Sequence, residues 1–280
     1  MAWKTAGILV LCAMASSGAE RILVHGHRGA RAMRPENTLP AFEYAIDAGV
    51  DVLELDLAVT RDNVLVVSHD PTLSKPVCSG PKDHAVIHEL TLDQVREYDC
   101  GALQNPAFPK QAPVPGTRMP TLDEVFALAP KGHFEFNVET KIFPDRPELT
   151  PPPDEFARLL LEAIRRHKLE DRVIVQSFDY RTLHAVKKLA PAIRLSALYE
   201  GGPKDYVTLA REGEASIVSP NLITVTPEKV KAAHDAGLQV VPWTANRPAD
   251  WEKLAAAHVD AIISDDPAAL IAWLKSKGLR

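Results

Sequence analysis

Acidic side chains alternate with apolar ones in two short stretches of the sequence. In VLELDLAV the acids are Glu54 and Asp56, and in HFEFNVETK the same two-residue spacing relates Glu139 to Lys141. Side chains two apart on a strand share a face, so strands here would direct these groups to one side. Buried carboxylates bind metal or pair with cations. One divalent cation, Ca²⁺ or Mg²⁺, suits all-carboxylate ligation; a salt bridge from Glu139 to Lys141 or Arg28 is the alternative.

Two histidines end apolar runs and are candidates for proton transfer. His27 closes ILVHGH and His69 closes VLVVSH. His25 shares a strand face with His27, but His27 is nearer the carboxyl end of its strand, where barrel active sites lie. Two imidazoles can serve as general base and general acid near neutral pH. The pair therefore predicts acid–base chemistry.

Arg28 and Lys141 add positive charge beside the same acids and histidines. The arginine fork matches phosphate oxygens well. A cation, an acid–base pair and an anion clamp together describe phosphoryl transfer. Motifs for other catalytic classes, such as the G-x-S-x-G elbow, the P-loop and H-E-x-x-H, do not occur in the chain.

Short apolar runs alternate with amphipathic segments along the chain. Eight strand–helix units in this length predict an α/β fold, a (β/α)₈ TIM barrel, with a doubly wound open sheet as the alternative. The candidate strands are Ile22–His27, Val52–Leu57, His133–Thr140, Arg172–Phe178, Arg194–Tyr199, Ser216–Pro220, Gln239–Thr244 and Ala261–Ser264.

Helical segments separate these strands. One helix is expected over Leu39–Ala48 with Thr38 as its N-cap. The others are expected to begin near Leu122, Asp154, Arg181, Lys204, Glu228, Ala249 and Ala268.

One segment interrupts the alternation. Residues 71–120 are rich in proline and glycine, hold a helical stretch at Thr91–Tyr98, and contain Cys78 and Cys100. Structureless stretches of this length in compact domains are usually functional or disordered. We interpret it as a small insertion after the second strand. A disulfide between the two cysteines is plausible, but sequence gives no distance between them.

The amino terminus has the pattern of a secretory signal peptide over residues 1–19. Lys4 precedes the apolar run Ala6–Ala15, and Ser17 and Ala19 form a small-residue cleavage site. A lipid anchor at Cys12 is disfavoured by the bulky residue before it. The mature chain, residues 20–280, is expected to be secreted or periplasmic without stable membrane insertion. The net charge of -5 disfavours nucleic acid as a partner.

Several motifs taken together resemble the glycerophosphodiester phosphodiesterase family. They occur in the family's order over essentially the whole mature chain: HRGARAMRPENTLPAF, ELDLAVTRDNVLVVSHDPTL, NVETK, VQSF, VPWTAN and VDAIISDDP. The resemblance implies a TIM barrel that hydrolyses small-molecule glycerophosphodiesters, such as glycerophosphocholine and glycerophosphoethanolamine, to sn-glycerol 3-phosphate and an alcohol.

The resemblance also assigns roles to individual residues. Glu54, Asp56 and Glu139 would hold the divalent metal, and His27 and His69 would be the catalytic base and acid. The substrate contacts would be Arg28, Lys141 and Trp243. Glu36 and Asn37 are expected to brace the HRG loop, and Gly29 to allow close backbone approach.

Two other functions remain open from the sequence. One is a lysophospholipase D-like or sphingomyelinase D-like enzyme acting on lipids, which the polar, charged insertion disfavours. The other is a glycerophosphodiester-binding protein without turnover, which the intact histidines disfavour. The preferred head group and the oligomeric state are left open.

Overall fold

Eight parallel strands form the centre of the molecule in the computed structural model, which describes residues 21–280. The signal peptide predicted at residues 1–19 and Cys12 lie outside the described residues. Each predicted strand is present, with bounds that range from two residues longer to four residues shorter than predicted. In chain order, β1 to β8 are Leu23–Gly26, Val52–Val59, Glu135–Thr140, Val173–Ser177, Arg194–Tyr199, Ile217–Pro220, Gln239–Val240 and Ala261–Ser264.

The strands pair in chain order, and β1 also pairs with β8. Between β7 and β8 the ladder is replaced by three backbone hydrogen bonds, of which Ile263 N–H to the Pro242 carbonyl, at 3.0 Å, is one. The sheet is therefore a nearly closed (β/α)₈ barrel. The TIM-barrel prediction is confirmed, and the alternative of an open, doubly wound sheet is wrong.

Eight helices alternate with the strands and cover the outside of the barrel. In chain order, α1 to α8 are Leu39–Ala48, Leu122–Phe126, Pro153–His167, Tyr180–Leu189, Tyr206–Glu212, Pro227–Asp235, Pro248–Ala256 and Pro267–Ser276. All begin within two residues of the predicted positions. Thr38 occupies the N-cap position of α1, but its hydroxyl donates to the Pro35 carbonyl at 2.5 Å instead of capping a helix N–H. The predicted N-cap position is therefore confirmed, while the preceding turn takes the hydroxyl.

Strand faces separate the main hydrophobic core from the barrel interior. Leu53, Leu55 and Leu57 of β2 are fully buried among the helices, as the alternation predicts. The inward face of the same strand carries Glu54 and Asp56. The core thus lies between sheet and helices, and the inward positions are free to carry polar groups.

The segment after β2 has more structure than expected. Leu65–Val67 returns antiparallel to β2, and Thr72–Leu73 pairs with Ala85–Val86. The helix in the insertion covers only Leu92–Val95, not the predicted Thr91–Tyr98. The chain leaves the helix there because the backbones of Ser79 and Asp99 pair with each other, at 2.8 and 2.9 Å.

A disulfide joins Cys78 and Cys100 within the insertion, with their Cα atoms 3.9 Å apart. Both cysteines are buried in a small hydrophobic cluster together with Leu73, Ile87 and Tyr98. The insertion thus has its own apolar core, which the disulfide cross-links.

None of the helices in residues 21–280 combines the length and the apolar character that crossing a membrane requires.

Candidate active site

All eight residues predicted to act on substrate or metal line one cavity at the carboxyl ends of the strands. The cavity has a volume of about 280 Å³. This is the end of a (β/α)₈ barrel where active sites form, because the loops after each strand converge there. The predicted residues in its wall are His27, Arg28, Glu54, Asp56, His69, Glu139, Lys141 and Trp243.

Three buried carboxylates meet at the base of this cavity. Asp56 of β2 lies beside Glu139 of β3 in the parallel ladder, and Glu54 lies one inward position below Asp56. One oxygen from each of the three carboxylates lies within 4.8 Å of the others. Burial and the neighbouring Asp56 raise the pKa of Glu54 well above its usual range, and burial also raises the pKa of Glu139.

Two basic side chains, Lys141 and Arg28, lie against these acids. The salt bridge between Glu139 and Lys141 that the sequence suggested is present. Lys141 Nζ is 2.7 Å from Glu139 Oε1 and 3.1 Å from Asp56 Oδ1. Arg28 Nε is 3.4 Å from Asp56 Oδ2. Burial alone would raise the pKa of Asp56, but Lys141 and Arg28 hold it well below its usual range.

The ion pairs leave Glu54 without a lysine or arginine partner in the described chain. Its Oε1 accepts from Gln176 Nε2 at 2.8 Å, and its Oε2 accepts from the Arg28 backbone N–H at 2.9 Å. Two cations against three carboxylates leave uncompensated negative charge in a buried place. The three oxygens therefore fit a hard divalent cation, whose positive charge would balance the remaining negative charge.

His27 is held by a partner that the sequence analysis missed. Its Nδ1 is 2.5 Å from Asp265 Oδ1, and its Nε2 is 3.9 Å from Glu54 Oε2. Burial lowers the pKa of His27 from 6.5 to about 4, although Asp265 opposes the shift. The neutral ring donates Nδ1–H to Asp265, which leaves the Nε2 lone pair free to accept a proton.

Asp265 follows β8 directly and is fixed from two further sides. Asn246 Nδ2 donates to its Oδ2 at 2.7 Å, and Arg31 Nε lies 2.8 Å from its Oδ1. Burial would raise the pKa of Asp265, but His27 and Arg31 lower it to about 2. A signal was present in the sequence, since Asp265 continues the inward alternation of Ala261 and Ile263 past the strand end.

His69 lies on the loop that follows Leu65–Val67. Its Nδ1 is 2.8 Å from Asp70 Oδ1, and its side chain is 36 % exposed, compared with 11 % for His27. The hydrogen bond from His69 lowers the pKa of Asp70. The two histidines thus differ in solvent access, since His27 is enclosed and His69 is near the mouth.

The HRG turn delivers His27 and Arg28 to the cavity. Gly29 has φ of 81°, and a Cβ there would lie 2.7 Å from the Ala41 carbonyl carbon, so only glycine fits without rearrangement. Glu36 accepts from Arg28 Nη1 at 2.6 Å, and Asn37 Nδ2 donates to Asp56 Oδ2 at 2.9 Å. The bracing predicted for these two residues is present.

Two aromatic residues and one acid, Phe178, Trp243 and Glu200, form the rim of the cavity away from Arg28 and Lys141. Trp243 donates its indole N–H to the Ser219 carbonyl at 2.9 Å. Phe178 packs edge-on against Trp243, with ring centroids 5.7 Å apart and planes at 87°. Glu200 lines the cavity beside them. Sequence reasoning identified only Trp243 among these three.

Known sequences resemble this chain over nearly its whole length. The family model described as the glycerophosphoryl diester phosphodiesterase family matches residues 27–269. A glycerophosphodiester phosphodiesterase of Caldanaerobacter subterraneus is 34% identical over 262 residues, which cover 92% of this chain and 100% of that protein. One from Bacillus subtilis is 30% identical and covers 89% of this chain and 85% of that protein.

Solved structures agree with this assignment. A Silicibacter pomeroyi protein, classed as a glycerophosphoryl diester phosphodiesterase, superposes with a TM-score of 0.86 at 30% identity, covering 92% of this chain and 95% of that one. An Oleispira antarctica phosphodiesterase in complex with its product sn-glycerol-3-phosphate shares the fold, with a TM-score of 0.79 at 22% identity over 91% and 97% of the two chains. The chain belongs to the glycerophosphoryl diester phosphodiesterase family.

Proposed function

We propose that the protein is a divalent-metal-dependent glycerophosphodiester phosphodiesterase, which releases sn-glycerol 3-phosphate and an alcohol. One observation carries the proposal. The carboxylate triad, two cations and a neutral histidine with a free Nε2 face the same 280 Å³ cavity. The relatives named for this activity support it.

Glu54, Asp56 and Glu139 are the proposed metal-binding residues, with Ca²⁺ or Mg²⁺ as the ion because all three donors are carboxylate oxygens. When bound, such an ion supplies charge neutralisation on the phosphate and lowers the pKa of a bound hydroxyl. Gln176 and the Arg28 backbone N–H orient Glu54, and Asn37 orients Asp56.

Arg28 and Lys141 are the proposed phosphate contacts. Both side chains lie at the cavity wall, only 11 % and 12 % exposed, and are fixed by their acidic partners. Burial alone would lower the pKa of Arg28, but Asp56 and Glu36 raise it above its usual value. Burial would likewise lower the pKa of Lys141, and Asp56 and Glu139 raise it. Both groups are therefore charged throughout the working pH range and already in place when substrate enters.

Proton transfer is assigned to the two histidines. His27 Nε2 takes the proton from the glycerol 2-hydroxyl, while Asp265 keeps the proton on Nδ1. The freed oxygen attacks phosphorus, and the bond to the head-group oxygen breaks. His69 protonates the departing alcohol, a role that suits its position near solvent. Water then opens the cyclic phosphate to glycerol 3-phosphate, with the histidines exchanging roles.

Residues 20–280 are proposed as one catalytic domain, with residues 71–120 as its insertion. Trp243 is the proposed aromatic contact for substrate. Residues 1–19 are proposed as a cleaved signal peptide that exports the protein to the periplasm or the medium. The disulfide between Cys78 and Cys100 supports export, because such bonds persist in oxidising compartments.

The first test is release of glycerol 3-phosphate from glycerophosphocholine by the purified mature protein. The assay is run with Ca²⁺, with Mg²⁺ and with EDTA. We expect metal-dependent release that EDTA abolishes. His27→Ala should lower kcat at least about a hundredfold, the usual contribution of a general base. His133→Ala, at an exposed position outside the cavity, is the matched control.

The other outcomes separate the competing functions. Turnover of lysophosphatidylcholine without turnover of glycerophosphocholine would support the lipid-directed enzyme. Tight binding of glycerophosphocholine with no product under any metal would support the binding protein. Either result overturns the proposal.

A further inference from the structure

The cavity has two walls of different chemistry. Arg28 and Lys141 place positive charge over the carboxylate triad on one wall. The opposite rim is formed by residues that follow β4, β5 and β7 in the barrel order, namely Phe178, Glu200 and Trp243, and none of the three is basic. The proposed reaction uses the first wall for phosphate and gives the rim no chemical task beyond a contact at Trp243.

Phe178 exposes its ring at this rim. It is 46% exposed and is one of three large hydrophobic residues exposed among residues 21–280. Its edge packs on Trp243, whose indole is fixed by the Ser219 carbonyl, so both rings have set orientations. Aromatic faces held in this way attract cations, and quaternary ammonium groups are bound by them.

Glu200 supplies negative charge beside these rings. Its Oε1 accepts from Asn221 Nδ2 at 3.1 Å, and it forms no ion pair with any of residues 21–280. The basic side chains in the adjoining groove are already taken. Lys204 lies 2.7 Å from Glu212, and Arg181 lies 2.5 Å from Asp179. The carboxylate of Glu200 is therefore available to a cation from outside the chain.

The adjoining groove gives the rim a path to solvent. It has a volume of about 800 Å³ and shares Phe178, Leu198 and Glu200 with the cavity. A group bound at the rim would lie between the phosphate site and this opening. This is the place of a leaving group that departs while the cyclic glycerol phosphate is still held.

We propose that Phe178, Glu200 and Trp243 form a subsite for a cationic head group, so that the preferred substrates are zwitterions whose leaving alcohol carries an ammonium group. The inference rests on the proposed function and adds the substrate class to it. The negatively charged phosphate binds at Arg28 and Lys141. The positively charged ammonium group binds at the rim, beside the carboxylate of Glu200. A cavity with one cationic and one anionic wall matches that charge distribution.

The test compares kcat/KM for glycerophosphocholine and glycerophosphoglycerol, which share the glycerol phosphate and differ in head-group charge. Glu200→Gln and Phe178→Leu, which keep size and apolar character, should each lower the ratio of the two values by about fivefold. Glu252→Gln, at an exposed acid that lines neither the cavity nor the groove, should leave the ratio unchanged. An unchanged ratio in both rim variants, or an equal fall for both substrates, would overturn the proposal; the equal fall would place the shared glycerol at the rim.

A second measurement tests binding at the rim independently of hydrolysis. Choline and its neutral carbon analogue 3,3-dimethylbutan-1-ol have nearly the same shape, so their difference reports charge alone. Titration calorimetry should show tighter binding of choline to the wild type, and Glu200→Gln should remove most of that difference. If no glycerophosphodiester is hydrolysed, the proposed function fails, yet this titration still decides the subsite. Equal binding of the two alcohols contradicts it.

Discussion

His27 depends on an acid far away in the sequence. Asp265 is 238 residues further along the chain, yet its carboxylate accepts the Nδ1–H of His27 and so decides which ring nitrogen is free. A histidine that serves as a base needs this free nitrogen to point at the substrate. We therefore regard Asp265 as a positioning residue that acts through His27.

Asp265→Asn should separate this role from simple loss of structure. The amide can present N–H to Nδ1, which moves the ring proton to Nε2 and blocks proton uptake. We expect kcat to fall at least about a hundredfold with little change in KM. The pH profile of kcat should also lose the limb that His27 contributes.

Asp235→Asn, at an exposed position on α6, is the matched control. Urea unfolding of both variants shows whether the barrel is intact. A variant at Asp265 that keeps wild-type kcat would show that the tautomer of His27 does not depend on this contact.

The HRG turn between β1 and α1 depends on a left-handed glycine. Gly29 has φ of 81°, and an added Cβ would lie 2.7 Å from the backbone of α1 at Ala41. Gly237, after α6, has φ of 75° but open space where its Cβ would lie. The two positions thus share a backbone conformation and differ in the space available.

Gly29→Ala should therefore lower stability more than Gly237→Ala. The left-handed conformation alone costs an alanine about 1 kcal/mol at either site. At Gly29 the contact with α1 adds to this, and we expect a total of about 3 kcal/mol in urea unfolding. Activity should fall as well, because the same turn positions His27 and Arg28. Equal losses of stability in the two variants would show that the close approach to α1 is not limiting.

The alternation of polar and apolar residues predicted most of the strands and the direction of their side chains. It could not predict contacts between residues far apart in the sequence. The two-residue period placed Glu54 and Asp56 inward and Leu53 and Leu55 outward, as the structure has them. Closure of the barrel depends on β7 and β8 meeting across three backbone hydrogen bonds, which no local pattern encodes.

The parts of the site that sequence reasoning missed lie in loops after distant strands. Glu200 follows β5 and Phe178 follows β4, and both line the cavity, whereas Asp265 follows β8 and contacts His27 from behind; only the closed barrel brings them together. The disulfide between Cys78 and Cys100 stayed open for a similar reason, because a separation of 22 residues sets no distance. The strands and helices were thus readable from periodicity, whereas the closure of the barrel and the complete site depend on contacts between distant parts of the chain.

A polar network occupies the barrel interior below the candidate site on the side of β1 to β4, beside an apolar cluster that includes Ile174 and Ile263. Gln176 Nε2 donates to Glu54, Asn137 Nδ2 donates to Gln176 at 2.9 Å, and Asn137 Nδ2 lies 3.5 Å from His25 Nδ1. These residues come from four successive barrel strands. Glu54 therefore rests on a layer of hydrogen-bonded side chains from neighbouring strands, which ties the candidate site to global stability.

His25 makes this layer sensitive to acid. Burial lowers the pKa of His25 from 6.5 to about 3, with Asp51 opposing the shift. In the unfolded chain the ring binds a proton as the pH falls through 6.5, whereas the native barrel does not until about 3. Proton uptake thus favours the unfolded state, and the free energy of unfolding should fall as the pH drops across this window.

His25→Gln should remove that contribution. The pH dependence of the unfolding free energy between about pH 4 and 6 should become shallower than in the wild type by about 1.4 kcal/mol per pH unit, the value for one proton. Urea unfolding at closely spaced pH values measures it, with His133→Gln at an exposed position as the control. The slope of the unfolding free energy against pH is the quantity to compare, because the variant also loses packing, which lowers its absolute stability. Identical slopes in the wild type and His25→Gln would show that the buried ring already takes up its proton in the folded barrel.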